Sequence, residues 1–280
     1  MINVASGSVA PDAPEVMTRL LAEHGVTADV HACQPGELMA QLKASIDAAP
    51  DLLITLAGDG TVRAAAELCG VDGPMLAPLP GGTMNMLPHA VYGARPWPEA
   101  LKQALEEGQE RDLGGGCIEG HRFLCGAILG SPARLAPVRE AAREGQFRKA
   151  ITRLRRAFRK AFTGRLRYQL DNGPRAKAES LVLMCPIVSK IMRADDPMLE
   201  AAALNPTGAV EVLRLGINAL VRDWRVDPAV ENQPCRNAHI WSAQRIPALL
   251  DGEPTYLKPN AHVRFDPKIV RVLMPPQDDA

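Results

Sequence analysis

The apolar positions fall into a repeating rhythm along the first third of the chain. Between Ala13 and Glu23, Val16, Leu20 and Leu21 recur at helical spacing, and His24-Gly25 closes that helix. Val26 to Ala32 alternates apolar with polar and predicts a strand. Pro35-Gly36-Glu37 opens a second helix, with Leu38, Leu42 and Ile46 on one face. Asp51 to Leu56 reads as a buried parallel strand and Val62 to Leu68 as the helix after it. Pro74 to Ala77 is a further apolar run, and Pro96 to Glu107 a further helix. Strands alternating with helices predict a doubly wound, mostly parallel, Rossmann-like α/β domain.

Near residue 110 the rhythm changes. Asp112 to Cys125 reads as two strands joined by a glycine turn. Leu166–Leu170, Ser180–Pro186, Ala209–Leu215, Ala238–Ser242 and Ala261–Phe265 also predict strands, and Asp171-Asn172-Gly173 is a hairpin-type turn. A β-rich second domain is therefore expected over 111–265, after an α/β domain over 1–110. One helical insertion interrupts the strands. Phe147, Ile151, Leu154, Phe158 and Phe162 follow at intervals of three and four, which makes an amphipathic helix.

Composition alters this picture in one place. The 280 residues carry 32 basic and 32 acidic groups, so the whole chain has no bias toward nucleic acid or membrane. Yet residues 134–167 hold twelve Lys or Arg against Glu140 and Glu144 alone. That excess predicts peripheral contact with an anionic membrane surface, at up to about 1 kcal/mol per basic residue near the lipid. RNA binding lacks a supporting aromatic-rich strand, and no nucleic-acid partner is expected. Six cysteines without Cys-x-x-Cys spacing argue against a zinc site or a disulfide scaffold. No signal peptide and no apolar run of membrane-spanning length is visible, so a cytoplasmic protein is expected. A homodimer is neither required nor excluded.

The candidate chemistry lies in two loops. Ala57-Gly58-Asp59-Gly60-Thr61 sits where a strand hands over to a helix. Such turns bind phosphates, because backbone N–H groups are open and the helix N-terminus favours negative charge. The acid is out of place beside phosphate unless it accepts hydrogen bonds from the loop or faces a magnesium ion. Leu79 to Met86, with Gly81-Gly82-Thr83-Met84-Asn85, follows a second apolar run. Two strand–glycine–Thr loops point to neighbouring strand ends that share one ligand. The plain alternative for Gly-Asp-Gly is an ordinary turn.

The order of these loops resembles the diacylglycerol kinase and sphingosine kinase family of lipid kinases. That family carries Gly-Gly-Asp-Gly-Thr, then Pro-x-Gly-Thr-x-Asn, then Asp-Gly-Glu. This chain has Asp251-Gly252-Glu253 in the third place, and Asn3-Val4-Ala5-Ser6-Gly7 resembles the family's Asn-Pro-x-Ser-Gly at the start. The resemblance implies an ATP- and magnesium-dependent kinase that phosphorylates a lipid hydroxyl. It implies an antiparallel sandwich for the second domain and a return of the chain end, 266–280, to the first domain through Ile269–Met274. It gives the phosphates to Ala57, Gly58, Asp59, Gly60 and Thr61, with Gly82, Thr83 and Asn85 completing the nucleotide site and Ser6 and Gly7 adding donors. It makes Asp251 the general base, placed across an interdomain cleft, with Glu253 supporting metal or phosphate, and Asp59 essential to catalysis.

Four departures from the family accompany these matches. The first loop glycine is Ala57, Met86 replaces an acid, and Asn205-Pro206-Thr207-Gly208 stands where bacterial members often have Asp-Asp-Gly near a structural magnesium. Only Met1 and Ile2 precede Asn3, where the family has a full strand. No residue is therefore assigned to a metal. Two other readings stay open: a catalytically silent nucleotide- or lipid-binding protein on the same fold, and a kinase for a soluble metabolite of the NAD kinase kind. His89, His121 and His239 are read as structural or exposed.

Overall fold

The computed structural model describes residues 1–34, 36–130, 166–205 and 227–276. The chain divides into two compact units. One is Met1–Gly115 with Arg193–Asp195 and Asp266–Ala280; the other is Gly116–Met192 with Asp196–Phe265. The sequence expectation set the division near residue 110. The basic stretch 134–165, the strand expected at Ala209–Leu215 and residues 206–208 lie outside the described residues. No described helix is long and apolar enough to cross a membrane.

In the first unit the strands are β1 (Ile2–Asn3), β2 (Ala32–Cys33), β3 (Leu52–Ala57) and β4 (Met75–Pro80). They pair in parallel in the order β2-β1-β3-β4. A late segment completes this sheet, with Val272 parallel to Leu76. The intervening helices are α1 (Ala13–Glu23), α2 (Leu38–Asp47), α3 (Asp59–Cys69), α4 (Met86–Tyr92) and α5 (Trp97–Glu107). Their inward faces follow from helical spacing: α1 buries Met17 and Leu21, and α3 buries Val62, Ala65, Ala66 and Cys69. Gly70, at φ 58°, ends α3 in a conformation that strains a side chain.

Two expectations need correction here. The strand predicted over Val26–Ala32 shrinks to Ala32–Cys33. Its partner β1 has only two residues, which pair Ile2 with Ala32 and Asn3 with Cys33, so no longer ladder can form. Helix α4 was not legible: it has seven residues with Pro88 at its third position, too short to show a period.

The second unit is antiparallel. One sheet runs β12-β11-β10-β7-β14-β15, from Val230–Cys235, Leu199–Leu204, Ser180–Met184, Gly126–Gly130, Ile246–Leu250 and Glu253–Leu257. The other has β8 (Leu166–Leu170) between β9 (Ala176–Ala178) and β13 (Asn237–Trp241). Residues 260–264 of β16 (Asn260–Met274) pair with β13. The end of β5 (Gln109–Ile118) forms a hairpin with β6 (His121–Phe123). Side chains of both sheets, among them Leu129, Leu181, Ala201, Leu166, Ile240 and Val263, pool in one buried core. This is the sandwich arrangement. All six cysteines are free; five are buried and Cys117 is half-buried.

Candidate active site

The strand order fixes where a ligand can approach the first unit. From β1 the chain crosses to β2 on one side, and it later returns to β3 on the other. Loops leaving the carboxyl ends of β1 and β3 therefore diverge, and a crevice opens at that switch point. The predicted residues stand in those two loops and in the loop after β4.

The three loops are tied to one another. Ser6 Oγ accepts the Gly58 N–H at 3.1 Å. Ser8 donates its hydroxyl to the Gly82 carbonyl at 2.9 Å and its amide to the Gly81 carbonyl at 3.2 Å. Asn85 grips Gly82 from both sides: its Oδ1 accepts the Gly82 N–H at 2.7 Å and its Nδ2 donates to the Gly82 carbonyl at 3.0 Å. Asn85 is buried and left-handed, at φ 49°, a conformation asparagine tolerates better than most residues. Asp59 settles the question posed by its charge. Its two oxygens accept the amides of Asn85 at 3.0 Å and Met86 at 2.6 Å, so it braces the second loop.

This bracing leaves backbone donors open. At the start of α3, Thr61 N and Val62 N both turn back to the Gly58 carbonyl. The amides of Asp59, Gly60 and Gly7 have no protein partner among the described residues. Free amides at a helix N-terminus are groups able to accept an anion such as a phosphate. Backbones meet closely behind them: a Cβ on Gly82 would lie 2.6 Å from Gly58 Cα, and one on Gly81 2.7 Å from Ala57 N. Thr83 is exposed at the loop tip, and its Oγ1 lies 3.6 Å from where a Gly7 Cβ would stand. The structure thus brings together Ser6, Gly7, Ala57, Gly58, Asp59, Gly60, Thr61, Gly82, Thr83 and Asn85.

Asp251 and Glu253 belong to the second unit. Asp251 and Gly252 are the two-residue turn of the β14–β15 hairpin, where Leu250 pairs with Glu253. Both have positive φ, 48° and 87°, as a type I′ turn requires. Asp-Gly-Glu is thus an ordinary hairpin turn in backbone, but its carboxylate is not solvated. Asp251 is only 6% exposed. Its Oδ2 accepts the Leu124 amide at 2.7 Å, and its Oδ1 accepts the amides of Cys125 and Gly126, each at 2.8 Å. Nearby, burial pushes the fully enclosed Cys185 thiol well up, and the Asp251 charge adds to that, so this thiol is chemically inert. Glu253 is exposed on β15.

The sequence reading missed Ser8 and the Leu124-Cys125-Gly126 amides. Backbone donors leave no mark in a sequence, and Ser8 carries no family signal. No group of three or more His, Cys, Asp or Glu able to hold a metal occurs among the described residues. With both Asp59 oxygens turned to amides, the described residues do not form a magnesium cage.

A parallel sheet with glycine loops at its switch point, together with an antiparallel two-sheet unit, is an arrangement shared with several solved structures. A structure from Bacillus anthracis str. Sterne, provisionally assigned as a diacylglycerol kinase, is 19% identical at a TM-score of 0.74, over 98% of this chain and 94% of that one. A diacylglycerol kinase structure from the same organism is 16% identical at 0.67, over 98% and 95%. An NAD kinase from Archaeoglobus fulgidus in complex with ATP is 10% identical at 0.55, over 98% and 92%. At these identities the likeness establishes the fold. No curated protein sequence matches the chain. Residues 1–115 match the family profile of the diacylglycerol kinase catalytic domain.

Proposed function

We propose that the protein transfers the γ-phosphate of ATP to a hydroxyl of a lipid such as diacylglycerol. One observation carries the nucleotide half: three loops braced by Ser6, Asp59 and Asn85 leave the Asp59, Gly60 and Gly7 amides open at a helix N-terminus. Phosphoryl transfer depends chiefly on positioning and charge stabilisation, which rigid amides supply. An NAD kinase of similar fold is complexed with ATP, in keeping with this nucleotide. The family-profile match over residues 1–115 and the diacylglycerol kinase neighbours support the lipid acceptor. Ala57, Gly58, Thr61, Gly82 and Thr83 shape the nucleotide site. Asp251 takes the proton of the acceptor hydroxyl, and Glu253 assists at the phosphates. No residue of this chain is assigned to magnesium.

The NAD kinase likeness favours a second reading, transfer to a soluble nucleotide.

The role of Asp251 is tested by Asp251→Asn. The amide keeps one acceptor oxygen but turns an NH₂ toward backbone donors, so a loss of roughly 1–3 kcal/mol in stability is expected. Turnover must fall further than that accounts for, by about 10²-fold or more at a temperature where the variant is folded, with ATP affinity nearly unchanged. A variant with lower thermal stability but wild-type turnover makes Asp251 a purely structural clamp.

A further inference from the structure

The outward face of the β9-β8-β13-β16 sheet takes no part in the chemistry proposed above. Alternation defines it: Leu166, Tyr168, Ala178, Ala238, Ile240, Ala261 and Val263 point inward and are buried, so their neighbours point out. Pairing registers arrange those neighbours in two rows. Asn260, Trp241, Arg167 and Lys177 form one row. His262, His239 and Gln169 form the next, with Arg175 at its end just ahead of β9. Arg167, Arg175, Lys177 and His262 are exposed.

Neither row contains an Asp or Glu. The nearest acid on this side, Asp171, accepts the amides of Arg236 and Asn237 at the edge. Arg167 and Lys177 have no ion-pair partner among the described residues. The aromatic groups lie together: the His239 ring centroid is 3.6 Å from those of both Trp241 and His262, and the Arg175 guanidinium carbon is 5.2 Å from the Trp241 ring centre. His239 also hydrogen-bonds Asn260.

We propose that this face docks on an anionic lipid bilayer. Three permanent cations and two imidazoles, with no opposing acid, complement a negative surface. A sheet face is broad enough to lie along a membrane. Tryptophan beside arginine is the pairing favoured at a headgroup interface. Single-stranded nucleic acid is the rival anion, and it needs open aromatic rings on which bases can stack. Here the one indole is already packed by His239 and Arg175, so the lipid surface is the better fit. The face would carry the enzyme to its proposed substrate, but the inference stands on its own observations.

The test uses the full chain and sedimentation with vesicles of phosphatidylcholine alone or with about one-third phosphatidylglycerol, an arbitrary but roughly physiological charge density. Wild type binds the anionic vesicles and releases them as salt rises. Each basic side chain near the surface contributes about a fivefold gain in partition, so Arg175→Gln with Lys177→Gln weakens binding roughly 25-fold. Both residues lie outside 134–167, so the effect reports this face. Arg19→Gln with Lys102→Gln, on the first unit's helices, leaves binding unchanged. Brominated lipid quenches tryptophan fluorescence in the wild type, and Trp241→Phe removes that quenching. Binding equal on neutral and anionic vesicles overturns the proposal, as do wild-type binding by the Arg175/Lys177 variant, or an RNA oligonucleotide bound through these residues with no vesicle binding. Phosphate transfer to a water-soluble short-chain diacylglycerol needs no bilayer. Measured on the same variant, it separates failure of this face from failure of the proposed reaction.

Discussion

Gly58 and Gly82 stand on facing loops, yet they face different constraints. A Cβ on Gly82 meets Gly58 Cα at 2.6 Å, so Gly82→Ala must push two backbones apart. A Cβ on Gly58 finds its nearest neighbour at 3.7 Å, and its φ of −81° suits any residue. We expect Gly82→Ala to cost about 1–3 kcal/mol and to weaken ATP binding, while Gly58→Ala keeps wild-type stability. Thermal unfolding and nucleotide titration of the two variants check this; equal destabilisation would mean the loops are not packed as described. The motif named both glycines, but only the structure separates them, because the constraint comes from a residue over 20 positions away. The same holds for Asp59. Its sequence context allowed either loop bracing or magnesium, and the Asn85 and Met86 amides decide for bracing.

Strands with a clear period were legible, and those without one were not. Leu166–Leu170 appears at its expected bounds, since alternation there reports a half-buried face. Leu199–Leu204, with three consecutive alanines, gave no signal. Alanine has low strand propensity, and the strand exists because β10 and β12 flank it. The last strand matters most. Ile269, Val270, Val272 and Met274 are buried in the first unit, and the Tyr92 hydroxyl donates to the Leu273 carbonyl at 2.6 Å. Burial of four such side chains contributes roughly 6–12 kcal/mol, comparable with the whole stability of a domain. The family profile ends at residue 115, but the fold it describes needs this strand from the far end of the chain. A chain ending at Phe265 is expected to lose cooperative unfolding of the first unit, and ATP binding with it. Retained ATP binding in a calorimetric titration would show the strand to be dispensable.

At the scale of the whole molecule, four short motifs in order carry the resemblance to a kinase family, and the family profile matches residues 1–115. Asp251-Gly252 is the plainest of these motifs: a two-residue turn with both φ angles positive accepts few sequences. What no motif carried was the environment of the turn. Burial of Asp251 depends on three amides about 125 residues earlier in the chain. The acceptor was equally illegible, since generic apolar side chains line acyl sites, and neighbours of the same fold act on different substrates. The central claim is transfer from ATP to a lipid hydroxyl. Its most direct test supplies γ-labelled ATP and magnesium with a panel of lipid alcohols in mixed micelles, and with NAD in parallel. The account predicts label in the solvent-extractable lipid fraction, lost in Asp59→Ala. Label on NAD alone, or no transfer to any lipid by a protein that binds ATP, would contradict it.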